Sequence, residues 1–383
     1  MHRLLLIYSG YGRISLQKIL LKDKKGMINL KLGAYYYDGW YEYRGNWRRR
    51  LLEEFDCRQP VWGWLGNSVE NMEKQIEYAA KGGLSFFAFD WYYPEGGGEE
   101  RGNNRCIDRY LQSRNAGLLE FCLLICNHQG AFIYYDTWKD ACRRWMRFLT
   151  NEHALKVDGK PVIIFFSAYN IVEYLGGREK ARECFDYLRD ECVKAGLPGC
   201  FIMGCMGGQR GANGGTSLEK EQVWRDVGEK LYLDGFDAIT GYNYHRTKTT
   251  YPDGSFSYLL PFDELAKDHE LVWEGHCRFG KLPYMPCLTG GWDNRPNENP
   301  EKPEGFSCHS PDITPISLYK HILRCGEFQK QYKDKVLEDL AIIYAWNENG
   351  EGGFICPTKG FHNDGLLMAC ERAVEEINAE KQK

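Results

Sequence analysis

From Lys31 onward, short apolar runs bounded by glycine or proline alternate eight times with longer segments of helical period. This is the pattern of repeated βα units feeding a parallel sheet. The expected strands are Leu32 to Tyr37, Ser85 to Trp91, Phe121 to Asn127, Val162 to Ser167, Cys200 to Cys205, Ala238 to Asn243, Tyr284 to Thr289 and Leu340 to Trp346. The clearest helices between them are Val69 to Lys81, Thr137 to Thr150, Arg178 to Ala195, Phe262 to Phe279, Pro315 to Lys333 and Gly365 to Ala379. Asn67 or Ser68 caps the first of these, and Gly82 and Gly83 end it. Eight such units close into a (β/α)8 barrel of the α/β class, and 383 residues with 43% hydrophobic content suffice for one barrel with long loops. The expectation is a single catalytic domain over residues 27–383, with residues 1–26 as a weakly ordered extension. The rival architecture, an open doubly wound sheet, is disfavoured. No GxGxxG follows an early strand, and "GGQRGANGGT" lacks the GK[ST] of a phosphate loop.

Composition removes several function classes. Lys plus Arg number 49 against 53 Asp plus Glu, a formal net charge of -4, so no strong field favours nucleic acid or an anionic membrane. The 15 cysteines include no CxxC pair and sit largely in apolar runs such as "EFCLLICNH", as reduced core thiols do. The 9 histidines are scattered, so neither a metal nor another cofactor is expected. No stretch approaches the roughly 18 apolar residues of a membrane span, and "MHRLLLIYSG" lacks a signal-peptide pattern. A cytoplasmic location is expected, with a substrate imported or made inside the cell. Aromatics form 14% of the chain, including 11 Trp and 25 Tyr, and flat rings with polar edges suit sugar faces as well as cores.

In βα barrels chemistry sits on the loops after the strands' C-terminal ends. Those ends carry Tyr36 and Tyr37, then Asp90, Trp91 and Tyr92, then Asn127 and His128, then Tyr242 and Asn243, then Trp292, Asp293 and Asn294, and finally "AWNENGEG" with Trp346, Asn347, Glu348 and Glu351. This ring suits a polyol with stacking faces, hence an oligosaccharide or glycoconjugate. Glu348 and Glu351, three positions apart after an apolar strand, can bring two carboxyls to the roughly 5 to 5.5 Å of a retaining glycosidase. Like charges that close keep one group protonated as an acid. Most of the other positions have a structural alternative. Trp91, Tyr92 and Trp292 either stack on sugar or cap the barrel. Asp293 and Asn294 either bind hydroxyls or make a turn. His128 is either a binding or a hydrogen-bonded structural residue, and Asp90 is either a further carboxylate of the site or half of a salt bridge.

Five stretches resemble one family: "GAYYYDGWY", "VENMEKQIEYAAKGGLSFFAFDWYY", "ALKVDGKPVIIFF", "GGWDNRP" and "AWNENGEGG". In order and at barrel spacing, they are similar to the glycoside hydrolase family 99-like proteins, including the WbsX proteins of O-antigen gene clusters. The resemblance spans roughly residues 31–375. It implies a barrel enzyme acting on α-linked, mannoside-like sugars with retention. It also implies that Glu348 is a base acting on the sugar's own 2-hydroxyl, giving an anhydro-sugar intermediate, and that Glu351 is the general acid, then base. Two departures bear on sugar specificity. The WbsX branch usually has a Trp between the glutamates and an Asn-Glu at the end of strand three, where this chain has "NENGEG" and "CNHQG". Two further readings stand beside the hydrolase: a glycan-assembly protein associated with glycosyltransferases, and a non-catalytic carbohydrate-binding barrel.

Overall fold

The computed structural model describes residues 30–40, 46–64, 68–299, 301–337 and 339–380. The extension expected over residues 1–26, and Asn67 as a helix cap, lie outside the described residues. Eight parallel strands form the barrel: β1 (Lys31–Tyr36), β2 (Leu84–Trp91), β3 (Glu120–Ile125), β4 (Lys160–Phe165), β5 (Phe201–Cys205), β6 (Ala238–Thr240), β7 (Cys287–Thr289) and β8 (Leu340–Tyr344). They pair in the order β7-β8-β1-β2-β3-β4-β5-β6. Between β6 and β7 the ring closes through one parallel bridge, Ile239 to Tyr284, with hydrogen bonds of 2.9 Å from Ile239 N to Pro283 O and from Met285 N to Ile239 O. Every expected strand is present. The sixth and seventh are shorter than expected, because Tyr242 and Asn243 have left the ladder and only Tyr284 of the segment before Cys287 bridges.

The helices around the barrel are α1 (Asn46–Glu54), α2 (Val69–Lys81), α3 (Arg105–Gln112), α4 (Trp138–Leu149), α5 (Ala168–Tyr174), α6 (Arg178–Lys194), α7 (Glu221–Asp234), α8 (Phe262–Phe279), α9 (Pro315–Gln331) and α10 (Gly365–Glu380). Ser68 caps α2, its side chain accepting from Asn71 N at 3.2 Å. Thr314 caps α9 in a reciprocal box with Ser317. None of the described helices is long and apolar enough to cross a membrane. None of the 15 cysteines, all of them among the described residues, is in a disulfide, and only Cys57 is exposed.

Because successive strand side chains point to opposite faces, two separate cores form. The barrel interior holds Tyr35, Phe86, Ala88, Leu124, Ile164, Met203, Ile342 and Tyr344. The layer between strands and helices holds Tyr36, Phe87, Phe89, Trp91 and Trp346, packed with Ile76 of α2 and Trp145 of α4. This parity decides which strand-end residues reach the barrel mouth.

Candidate active site

β8 ends at Tyr344, and the chain then makes a tight antiparallel hairpin in which Asn347–Glu348 pairs with Gly353–Phe354. Both glutamates sit on this hairpin, whose turn is closed by Glu351 N donating to Glu348 O at 3.1 Å. Two glycines make the geometry possible. Gly352 has φ +72°, and a Cβ there would meet the backbone N of Asp293 at 2.7 Å. A Cβ on Gly353 would overlap the Tyr344 ring at 2.0 Å, so a bare backbone at 353 lets that ring lie under the hairpin. The Tyr344 hydroxyl then donates to Glu351, and the Tyr242 hydroxyl donates to Glu348 Oε1 at 2.9 Å. The two tyrosine rings meet edge to face, 4.9 Å apart.

A buried ion pair fixes the hairpin from the side. Arg58, on a short turn of helix at Asp56–Arg58, donates through Nη2 to Asp293 Oδ2 and through Nη1 to the backbone O of Asp293 at 3.0 Å and of Asn349 at 3.3 Å. Asn349 returns a bond to Arg58 O at 2.7 Å, and Asp293 N donates to Glu351 O at 2.6 Å. Asn347 pins the β1 loop to the same hairpin: its side-chain O accepts from Tyr37 N at 2.9 Å, and its Nδ2 donates to Tyr37 O at 2.7 Å.

Two adjoining cavities open at the C-terminal ends of the strands. The first, of about 370 Å³, is lined by Tyr37, Trp40, Asp90, Tyr92, His128 and both glutamates, among others. The second, of about 450 Å³, includes Asn243, Tyr244, His245 and Trp292. Phe166, Tyr242 and Glu351 line both and form the wall between them.

Three carboxyls thus share the first cavity, and all three titrate above the usual range. Burial is the main cause for Glu348, followed by the charges of Glu351 and Asp90, with the Tyr242 hydrogen bond opposing. Burial also raises Glu351, against the Tyr344 hydrogen bond. Burial and then the Glu351 charge push Asp90 well up, with the Tyr92 hydroxyl opposing. Such a cluster retains protons where isolated carboxyls would have lost them, the condition for a general acid near neutral pH.

The expected residues divide by location. Tyr37, Asp90, Tyr92, His128, Tyr242, Glu348 and Glu351 line the first cavity; Asn243 and Trp292 line the second. Four do not face the cleft as substrate contacts require. Trp91 is fully buried on the outer face of β2 against Trp145, ring centroids 5.6 Å apart. Trp346 faces the helix layer too, stacked on Trp62 and donating to Gln75 Oε1 at 2.9 Å. Tyr36 packs outward against Phe87 and Phe89. Asp293 is buried with both oxygens taken by Arg58 and Arg295. Asn294 and Asn347 stand one step back from the cavity: Asn294 accepts from Asn297 Nδ2 at 2.7 Å, and Asn297 lines the cavity. Trp292 presents an incomplete platform, since His245 stacks on one of its faces with centroids 3.8 Å apart.

Sequence reasoning missed Tyr344, Trp40, Phe166 and Arg58. Tyr344 hides inside the apolar strand "LAIIYAW", where alternation with Ile342 is the signal that it points inward. Arg58 carries no local signal, because its partners lie 235 and 291 positions away.

A family model described as "Glycosyltransferase WbsX" matches residues 65–368. No curated protein matches the chain. Among solved structures, a glycoside hydrolase-like protein has TM-score 0.59 at 15% identity, over 94% of this chain and 98% of that one. Two structures of the GH99 endo-alpha-mannosidase from Bacteroides thetaiotaomicron, one in complex with BIS-TRIS-propane, both have TM-score 0.60, at 14% and 13% identity, over 92% of this chain and 98% of theirs. These likenesses establish a (β/α)8 barrel of the kind found in glycoside hydrolases. Matched over most of its length by that family model, the chain belongs to the WbsX family.

Proposed function

We propose that the protein is a retaining glycoside hydrolase that cleaves α-linked, mannoside-like oligosaccharides with Glu348 and Glu351 as its working carboxyls. The observation that carries this reading is the hairpin after β8, which holds both glutamates in one cavity, each tied to a tyrosine hydroxyl. The carboxyls titrate as a pair, so the working state carries one proton shared between them. When substrate binds, that proton resides on Glu351, which lines both cavities and so borders the bond between two sugar rings placed one in each. Glu351 gives the proton to the leaving-group oxygen while Glu348 takes the proton of the 2-hydroxyl, whose oxygen closes onto C1. Water, deprotonated by Glu351, then opens the anhydro sugar with a second inversion, and Glu348 returns its proton to the 2-oxygen. Net retention results. Tyr242, Tyr37, Tyr92, His128, Asn243 and Trp292 supply the binding surface.

The family model's description favours a second reading, glycosyl transfer. A nucleotide-sugar donor carries a diphosphate that calls for cationic contacts, and neither cavity is lined by Lys or Arg among the described residues. Hydrolysis is therefore the better-supported activity. The test is the anomeric proton signal of the first-formed product from an aryl α-mannoside, read by NMR within the first turnovers. An α product supports the reading, and a β product overturns it.

A further inference from the structure

A retaining hydrolase needs two carboxyls, and this cavity holds three. Asp90 ends β2 on the inward face it shares with Phe86 and Ala88, and it is 3% exposed. Its Oδ1 has no hydrogen-bond partner, and its Oδ2 is met by the Tyr92 hydroxyl at a long 3.4 Å. Buried carboxyls are normally matched by a cation or by several donors, because an unmatched one is costly. Nearby guanidinium groups are engaged elsewhere. Arg58 pairs with Asp293, Arg109 pairs with Asp38, and Arg210 donates to the backbone oxygens of Tyr244 and His245. His245 stays neutral, because burial and the Arg210 charge push its pKa down to about 4. Three acidic side chains and no Lys or Arg therefore line the first cavity among the described residues.

We infer that Asp90 selects a substrate whose sugar in the first cavity carries a free, protonated amino group. An ammonium brings three donors and a positive charge to the weakly met Oδ2 and to the three-carboxyl cluster together. A neutral hydroxyl brings one donor and leaves the like-charge repulsion in place. The substrate class is thus a sugar that keeps the 2-hydroxyl on which Glu348 acts and carries an unacetylated amine elsewhere on the ring or at its exocyclic carbon, or a glycan containing one. The inference rests on reading the cleft as a sugar site and deepens it.

Calorimetric titration of the full chain at pH 7 with 3-amino-3-deoxymannose, 4-amino-4-deoxymannose and 6-amino-6-deoxymannose tests it, each beside mannose and its own N-acetyl form. At least one free amine is expected to bind about tenfold or more tighter than both neutral partners, as a charged hydrogen bond provides. In Asp90→Asn the advantage is expected to fall below about threefold, with the variant's thermal unfolding confirming that it folds. Equal binding of amine and neutral sugars, or an amine preference that persists in Asp90→Asn, overturns the inference. Hydrolysis of neutral aryl α-glycosides alongside equal binding would leave the hydrolase reading standing. Failure of every sugar to bind, together with no turnover, would remove both.

Discussion

The Tyr242 hydroxyl donates to Glu348 Oε1 at 2.9 Å, tying the loop after β6 to the hairpin that follows β8, two strands further round the barrel. The bond stabilises the ionised carboxylate and so opposes the burial that drives Glu348 upward. Removing the hydroxyl in Tyr242→Phe leaves only the raising influences. The pair then gives up its protons at higher pH, and the pH profile of kcat/KM is expected to move to higher pH with activity at neutral pH down roughly tenfold, the scale of one charged hydrogen bond. Initial rates from pH 4 to 9 check this. A profile shifted to lower pH would contradict the role given to Tyr242.

Arg58 and Asp293 form a nearly inaccessible ion pair that also anchors Asn349, so the hairpin depends on it. Arg58→Met leaves Asp293 to Arg295 alone and frees the backbone oxygens of Asp293 and Asn349, and is expected to cost about 1 to 3 kcal/mol in denaturant unfolding. The sign with pH follows from Asp293. Burial alone would raise its pKa, but the Arg295 hydrogen bonds and the Arg58 charge outweigh it and hold the carboxyl below its usual value. Stability from a lowered carboxylate is present above the unfolded pKa of about 3.9 and is lost as pH falls through the folded value. The difference between wild type and Arg58→Met is therefore expected to narrow below about pH 4.

Asp90 has the opposite sign. Burial and the Glu351 charge raise its folded pKa above the unfolded one, so it costs stability as pH rises from the unfolded value toward the folded one. Asp90→Asn is expected to raise the melting temperature at pH 7 to 8, and the gain is expected to vanish below about pH 3, where the carboxyl is protonated in both states. Melting curves at the two pH values measure this. A variant less stable than wild type at pH 8 would contradict it.

The barrel, its eight strands and the placement of Glu348 and Glu351 just after the last of them were legible because they rest on local signals: apolar runs, punctuation by glycine and proline, and residues placed just after a strand. What misled was treating neighbouring strand-end residues as equally eligible. Alternation lets Asp90 face the mouth only by turning Trp91 into the helix layer, but it stops with β8 at Tyr344, so Trp346 packs into the helix layer although it lies two positions beyond the inward Tyr344. Asp293 also read as a ligand contact, because its Arg295 neighbour is visible in sequence while Arg58 is not. Long-range pairs of this kind leave no trace in spacing.

The central claim is that Glu348 and Glu351 perform glycoside hydrolysis, and hydrolysis of aryl α-mannosides by wild type, Glu348→Gln and Glu351→Gln tests it most directly. Loss of about 100-fold to 10,000-fold is expected in each variant with a poor leaving group. With a dinitrophenyl leaving group, which needs no proton, Glu351→Gln is expected to recover much of its first-step rate while Glu348→Gln does not. Sugar binding that persists in both variants beside unchanged turnover, or no turnover by the wild type on any glycoside, would contradict the account.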